Sequence, residues 1–382
     1  MSAHPAASAP LRPAVLRSHS YYNNPFHLRP SSRPFGVHIT SASVLAMANL
    51  TSYQSIPSTT ASLDWADLIA IDLSLFDQPG GKQLLAAQLK HAISTVGFFY
   101  VPNSGLSEAE VNEQFALAAQ LFSLPDEGKQ QYRVDPSKQG FFGWEPRGSR
   151  KQQHRLVDSL ELYDDPKWND IFNAEYARPP PLAAAAKKCE AFQRHLHNHV
   201  LRRLLVLSAI IMELDDEEQL WRLHSYPSRS QCHLRYLLYH PRTPAELATI
   251  REHGIEHNVY GHTDFGTFTL LMRQPVAALQ VRPAGEEEWK WVKPLKHSIT
   301  VNFADTLSFL TGGYLESGTI ASCCRRRIRG VYGGMGLFTS LDRMMGRCLS
   351  LWRVHCSRER RWKGMPTGVC RPLVLLLANG LM

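Results

Sequence analysis

The sequence predicts a mainly β, α+β fold: a double-stranded β-helix (jelly-roll) core with flanking helices. Three observations predict it. Between Cys232 and Leu310, short apolar runs recur between Gly, Pro and charged turns, the pattern of antiparallel strands. Earlier, long stretches carry apolar residues at spacings of three and four, the pattern of helices packed by one face. The 44% hydrophobic content over 382 residues is enough for a large buried core. The strand pattern ceases near Ser317, so the last strands of the core are expected to be missing or disordered.

Taking the elements in order, residues 1–46 are rich in Ala, Ser, Pro and Arg, contain no acid and show no apolar period. They read as disordered, as a transit peptide, or as untranslated sequence ahead of a start at Met47. The segment "LIAIDLS" reads as a short strand. Lys82 to Thr95, with Leu84, Leu85, Leu89 and Ile93, reads as an amphipathic helix ended by Gly97, and "FFYVP" as a buried strand. Glu108 to Phe122 is a second helix, with Ser107 as N-cap and Glu110 as its capping-box partner. "GFFGWEPRG" reads as a loop and "LVDSLELY" as a strand. Ala183 to Leu214 is the longest helical pattern, built on Phe192, Leu196, Val200, Leu204 and Leu207. His195, His197 and His199 within it read as packing or solvent-facing, since only His195 and His199 share a helix face and no carboxylate or Cys completes a site. Strands are then expected at Cys232 to Pro241, through Thr267 to Met272, and at Val276 to Val281, Trp289 to Val292, Ser298 to Asn302 and Thr306 to Leu310.

The net charge of +8 belongs to the ends. Residues 1–63 carry four Arg and no acid, and residues 318–382 carry twelve basic residues against two acids, whereas residues 64–317 carry 26 basic and 32 acidic residues. That acidic balance, and the lack of aromatics interleaved with "RRRIR", argue against nucleic-acid binding. No stretch reaches the ~18 apolar residues of a membrane span. The seven Cys show no C-x-x-C zinc spacing and follow no secretory signal, so the expected location is cytoplasmic, or mitochondrial if residues 1–46 form a transit peptide.

The chemistry concentrates in "GHTDFG". On an extended strand, residues i and i+2 share a face, so His262 and Asp264 can address one point. An imidazole and a carboxylate so placed are two corners of the 2-His-1-carboxylate triad of non-haem Fe(II) sites.

"GHTDFGTFTLL", "VAALQV", "WKWVKP" and "SITVNFADTLSFLTGGYLES", preceded by "IDLSLFDQ", "HAISTVGFFYVPNSGLS" and "AAQLFSLPDEGKQQY", resemble the isopenicillin N synthase-like family of Fe(II)/2-oxoglutarate oxygenases from about Leu63 to Ser317. The resemblance implies a 1–62 disordered or targeting segment, a 63–165 N-terminal region, a 166–317 incomplete jelly-roll core and a 318–382 tail foreign to the fold. It implies Fe(II) bound by His262 and Asp264, with 2-oxoglutarate approached by Arg235 and Tyr239; Leu237 departs from the Asn of many members. Phe141, Phe142 and Trp144 would lie near the substrate mouth, and Asp305 would be a turn residue rather than a ligand. Substrate and molecular oxygen would be the partners, in oxidation of a small organic molecule by hydroxylation, desaturation or ring closure, commonly in specialised metabolism.

Members carry a second His fifty to sixty residues past the Asp, then an Arg-x-Ser clamp for the distal carboxylate of 2-oxoglutarate. Here residues 311–329 contain no His; His297 is too early and His355 too late. Codons for "ASCCR" such as GCA TCG TGT TGT CGC, read one base later, spell His-Arg-Val-Val. The missing ligand is therefore expected at Ala321, with the chain after about Ser317 out of frame. As written, the chain is expected to bind iron poorly, to lack turnover and to expose unpaired strand edges. The alternative is a catalytically dead member retained for binding or regulation.

Overall fold

The computed structural model describes residues 58–135, 137, 142–150, 156–255, 257–273, 275–283, 286–323 and 334–341, the main chain alone for 257–260, 323 and 334–341. The segments 1–46 and 342–382, with Phe141, "RRRIR", His355 and the last three Cys, lie outside them.

Two antiparallel sheets carry the structure. The larger has the order β1 (Phe98–Pro102), β9 (Ser298–Phe303), β6 (Phe268–Met272), β11 (Gly334–Leu341), β4 (His233–Tyr239), β3 (Leu160–Pro166), β2 (Gly143–Glu145). The smaller has the order β5 (His257–His262), β10 (Thr319–Cys323), β7 (Leu279–Arg282), β8 (Lys290–Trp291). "LIAIDLS" makes only a single bridge, Ala70 to Tyr100, before a 3-10 turn at Leu73–Leu75. Asp72 accepts from the Ser74 amide there, and that cap competes with continued strand.

The period-two rule divides the large sheet into two chemistries. Phe99, Val101, Leu234, Tyr236, Phe268, Leu270, Met272, Ile299, Val301 and Phe303 point to one face and are buried in the main core. Helices α1 (Gly81–Thr95) and α2 (Glu108–Phe122) share that core through Leu85, Leu89, Phe115 and Leu121. Each such side chain contributes about 1.5–3 kcal/mol on burial. Leu84 departs from the expected face and is half exposed. The Ser107–Glu110 capping box is formed as expected, and Gly97 ends the first helical segment at φ 77°, its amide donating to the Ala92 carbonyl.

The long helical pattern is broken into α3 (Ala186–His195), a π turn (Leu196–Leu201) and α4 (Arg202–Ile211), with all five expected core residues buried. His195 lies 2.7 Å from the Ser104 carbonyl and stacks on His199, as packing residues do. His197 is buried against Trp221 and Tyr226, and burial depresses its pKa to about 3. A His whose folded pKa lies below its unfolded value favours folding above about pH 6.5, and that contribution is lost as pH falls toward 3. The slope is about 1.4 kcal/mol per pH unit at most. Urea midpoints between pH 7 and 4 should therefore fall less steeply in His197→Phe than in the parent.

Three expectations are corrected. Thr306 to Leu310 is not a strand but part of α6 (Asp305–Leu310), α5 being Pro244–Glu252; an acid in its first turn suits the positive end of a helix. Phe142 and Trp144 do not line a mouth. Phe142 packs edge-on against Phe172 and Tyr176, and Trp144, buried in β2, donates through Nε1 to Glu161 at 2.8 Å. Nor are the strands after Ser317 all missing: β10 joins β5 to β7, and β11 fills the slot between β4 and β6. Such a slot offers main-chain groups on both sides, which any extended segment can satisfy whatever its side chains.

Candidate functional site

The second face of the large sheet looks toward the small one, and its residues are more polar. On β9 the alternation is Ser298, Thr300, Asn302 against Ile299, Val301, Phe303; on β4 it is Arg235, Leu237, Tyr239 against Leu234 and Tyr236. With residues of β5, β7 and β10 they line a cleft of about 200 Å³. Gly318, entering β10, passes so close to the Phe98 ring that an added Cβ would lie 2.2 Å from it.

His262, Asp264, Arg235, Tyr239 and Ala321 all reach this cleft. The local route differs from the expected one. His262 ends β5, and Asp264 sits in the turn before β6 rather than on a shared strand. They still converge, with His262 Nε2 3.8 Å from Asp264 Oδ1. His262 is exposed at the opening, whereas Asp264 is buried.

Asp264 is held from two sides. Asn302 Nδ2 donates to its Oδ2 at 3.1 Å, leaving Oδ1 turned to His262. Its carbonyl accepts from the Asp305 amide at 2.8 Å. The Asp305 carboxylate accepts from Thr263 Oγ1 at 2.9 Å and Ser317 Oγ at 2.6 Å. Asp305 thus braces the turn through both hydroxyls. Sequence reasoning missed Asn302, whose signal was the polar alternation along β9.

Arg235 is clamped by Asp164, which β3 places across from it, with Nε–Oδ1 at 2.6 Å and Nη2–Oδ2 at 2.7 Å. Burial opposes ionisation of Asp164, but the Arg235 and His233 charges and the Arg235 hydrogen bonds outweigh it and hold the carboxyl below its ordinary range. Burial also depresses the pKa of His233. Asp164 was likewise missed, because a carboxylate inside a strand signals nothing until its partner strand is known.

Ala321 occupies the remaining side. Its neighbour Ile320 pairs with His262 across β5, and Ala321 itself is 1% exposed. Among the described residues no three His, Cys, Asp or Glu gather to hold a metal ion. The donors present fit two corners of a triad and not the third. His297 is elsewhere, 3.7 Å from Glu108.

Residues 69–196 match the family model described as non-haem dioxygenase in morphine synthesis N-terminal, and residues 228–324 match the 2OG-Fe(II) oxygenase superfamily model. The second match thus runs past Ser317 and through Ala321. A 2-oxoglutarate-dependent dioxygenase of Didymella fabae is 27% identical over 255 residues, covering 63% of this chain and 74% of that protein. The 2-oxoglutarate-dependent dioxygenase citB of Monascus ruber is 26% identical over 268 residues, covering 65% and 78%. A full-length Neurospora crassa protein crystallised in complex with alpha-KG has a similar fold, with TM-score 0.61 at 17% identity over 75% of this chain and 88% of that one. JOX2 in complex with 2OG, Fe and JA gives 0.58 at 21% identity, over 81% and 84%. Two models matched in order along one chain, relatives aligned over 255 and 268 residues and a common fold make the conclusion plain: this chain belongs to the 2OG-Fe(II) oxygenase superfamily, among the 2-oxoglutarate-dependent dioxygenases, whose cofactors are Fe(II) and 2-oxoglutarate.

Proposed function

We propose that the cleft is an Fe(II)/2-oxoglutarate oxygenase site for a small organic molecule, built on a double-stranded β-helix and short of one metal ligand. Support for the β-helix comes from the strand order: β4, β6, β9 and β11 in one sheet face β5, β7, β8 and β10 in the other. The observation that carries the site is the convergence of His262 and Asp264 on a cleft whose third side is Ala321. Fe(II), when bound with 2-oxoglutarate, supplies oxygen activation coupled to decarboxylation to succinate.

The protein's own residues do the rest. His262 Nε2 and Asp264 Oδ1 are the two donors. Asn302 fixes the Asp264 carboxylate, as partners of metal ligands do. Arg235 and Tyr239 are the candidate polar contacts for the co-substrate, and Leu237 and Leu271 give the cleft an apolar wall that turns toward a small organic substrate. Because Ala321 offers no donor, the chain as written holds Fe(II) weakly. The same observation favours the second reading, a member retained for binding or regulation.

Titration of the purified full chain with Fe(II), with succinate release as the activity readout, tests this. Expected are substoichiometric iron and no turnover; one tightly held iron with steady succinate production would overturn the claim of a missing ligand.

A further inference from the structure

The charges lining the cleft are unevenly neutralised. Arg235 brings Asp164 with it, and Arg150 lies 3.2 Å from Glu145. Lys293 also lines the cleft and has no carboxylate partner among the described residues, but it is exposed to solvent; Arg273 is different. It follows Met272 at the end of β6, on the cleft face shared with Thr269 and Leu271. It is half-buried, and Nη2 donates to Ser58 Oγ at 3.2 Å. Its Nε is buried without a hydrogen-bond partner, and it is ion-paired with no carboxylate among the described residues. Glu108, which lines a smaller neighbouring cleft with Arg273, faces His297 instead. A half-buried guanidinium with an unmet donor is costly until an anion arrives, and a planar fork suits a carboxylate.

Its position says how long that anion's molecule is. Thr269 pairs with Asn302, the residue bonded to Asp264. From Thr269 to Arg273 is four residues of strand, about 13 Å between Cα atoms. Leu237, Leu271 and Leu279 line the cleft together with the two polar ends.

We propose that Arg273 is an anion anchor, holding the carboxylate of a small organic acid whose other end reaches His262 and Asp264. Only that other end rests on the oxygenase reading; capture of the carboxylate requires no metal. Two sources carry the same chemistry, 2-oxoglutarate and an acidic substrate with an apolar body.

Calorimetric titration of the full chain without added metal separates them. 2-Oxoglutarate is compared with 2-oxobutyrate, which lacks the distal carboxylate, and 3-phenylpropionate with its uncharged amide. In at least one pair the acid should bind tenfold or more tightly. Arg273→Gln should abolish that preference and Arg273→Lys should keep part of it. A preference in the first pair identifies the co-substrate, and one in the second an acidic substrate. No preference in either pair, or one that persists in Arg273→Gln, overturns the anchor. Should Arg273→Gln fail to fold, protection of Arg273 from phenylglyoxal by the same acids, read by peptide mass spectrometry, decides the question: protection supports the anchor and its absence sinks it. Failure to bind iron leaves the anchor standing, and loss of the Arg273 dependence defeats it even in a chain that holds iron.

Discussion

Replacing Ala321 with histidine is expected to convert the proposed two-donor metal site into one with three, raising affinity for Fe(II) or Co(II) by about 10²–10³. The magnitude follows from four-ligand zinc sites, whose apparent binding of about 10–16 kcal/mol corresponds to roughly 2.5–4 kcal/mol per ligand. The place is specific. Ala321 lines the cleft beside His262 and Asp264, and the ladder between β10 and β5 sets Ile320 opposite His262. Introducing an imidazole at a residue that is 1% exposed costs about 1–3 kcal/mol of overpacking unless the side chain turns into the cleft. Ala321→Leu therefore serves as the volume control. Metal titration followed by Co(II) absorption checks the prediction. Equal affinities in Ala321→His and Ala321→Leu would mean that position 321 does not face the metal, and a gain that persists in the double variant with His262→Ala would place the metal elsewhere.

Arg178→Met is expected to cost about 3–5 kcal/mol of stability, read as the shift in urea midpoint at constant slope. Arg178 is buried. It donates through Nε to Asp165 at 3.1 Å, and its remaining donors reach the carbonyls of Pro166, Lys167, Phe172 and Tyr176. Its guanidinium also lies 4.3 Å from the centre of the Trp168 ring. Methionine would keep the stem but remove the only charge that, among the described residues, faces the Asp165 carboxylate in an ion pair, leaving it to Trp168 Nε1 and Gln193 Nε2; that carboxylate is fully buried and already raised to about pKa 6 by burial. The site should suffer with the fold, because Asp165 adjoins Asp164, and Asp164 orients Arg235 in the cleft. A midpoint within about 1 kcal/mol of the parent would show that water replaces the guanidinium there without loss.

What was legible in the sequence was local. The Ser107–Glu110 cap, the Gly97 stop and the strand "FFYVP" each depend on residues within a few positions, and each formed as read. The α3–α4 stripe was legible for the same reason, since its spacing alone decides which side chains meet the core. Thr306 to Leu310 was misread because five residues cannot distinguish an alternating strand from one and a half helical turns. Trp144 was placed near a mouth by the family resemblance, which carries no information on the buried Glu161 that accepts from its indole. The chemical pair His262 and Asp264 was visible, but its geometry was not: a strand end and a turn bring the two together where one continuous strand was expected.

The residue types at the cleft could be read without coordinates: one imidazole and one carboxylate two positions apart, and an alanine where a third donor would stand. The pair follows from identity and spacing, and the place of the alanine from the family resemblance and the shifted codon reading. Their surroundings came from the packing of distant strands. It set Asn302 on Asp264 and Asp164 on Arg235, and it placed at the far end of the same cleft an Arg273 that is ion-paired with no carboxylate among the described residues. It also admitted Gly334–Leu341 between β4 and β6. Each of these depends on which strands lie side by side, and strand neighbours are chosen by main-chain pairing and shared burial over long separations rather than by any local pattern.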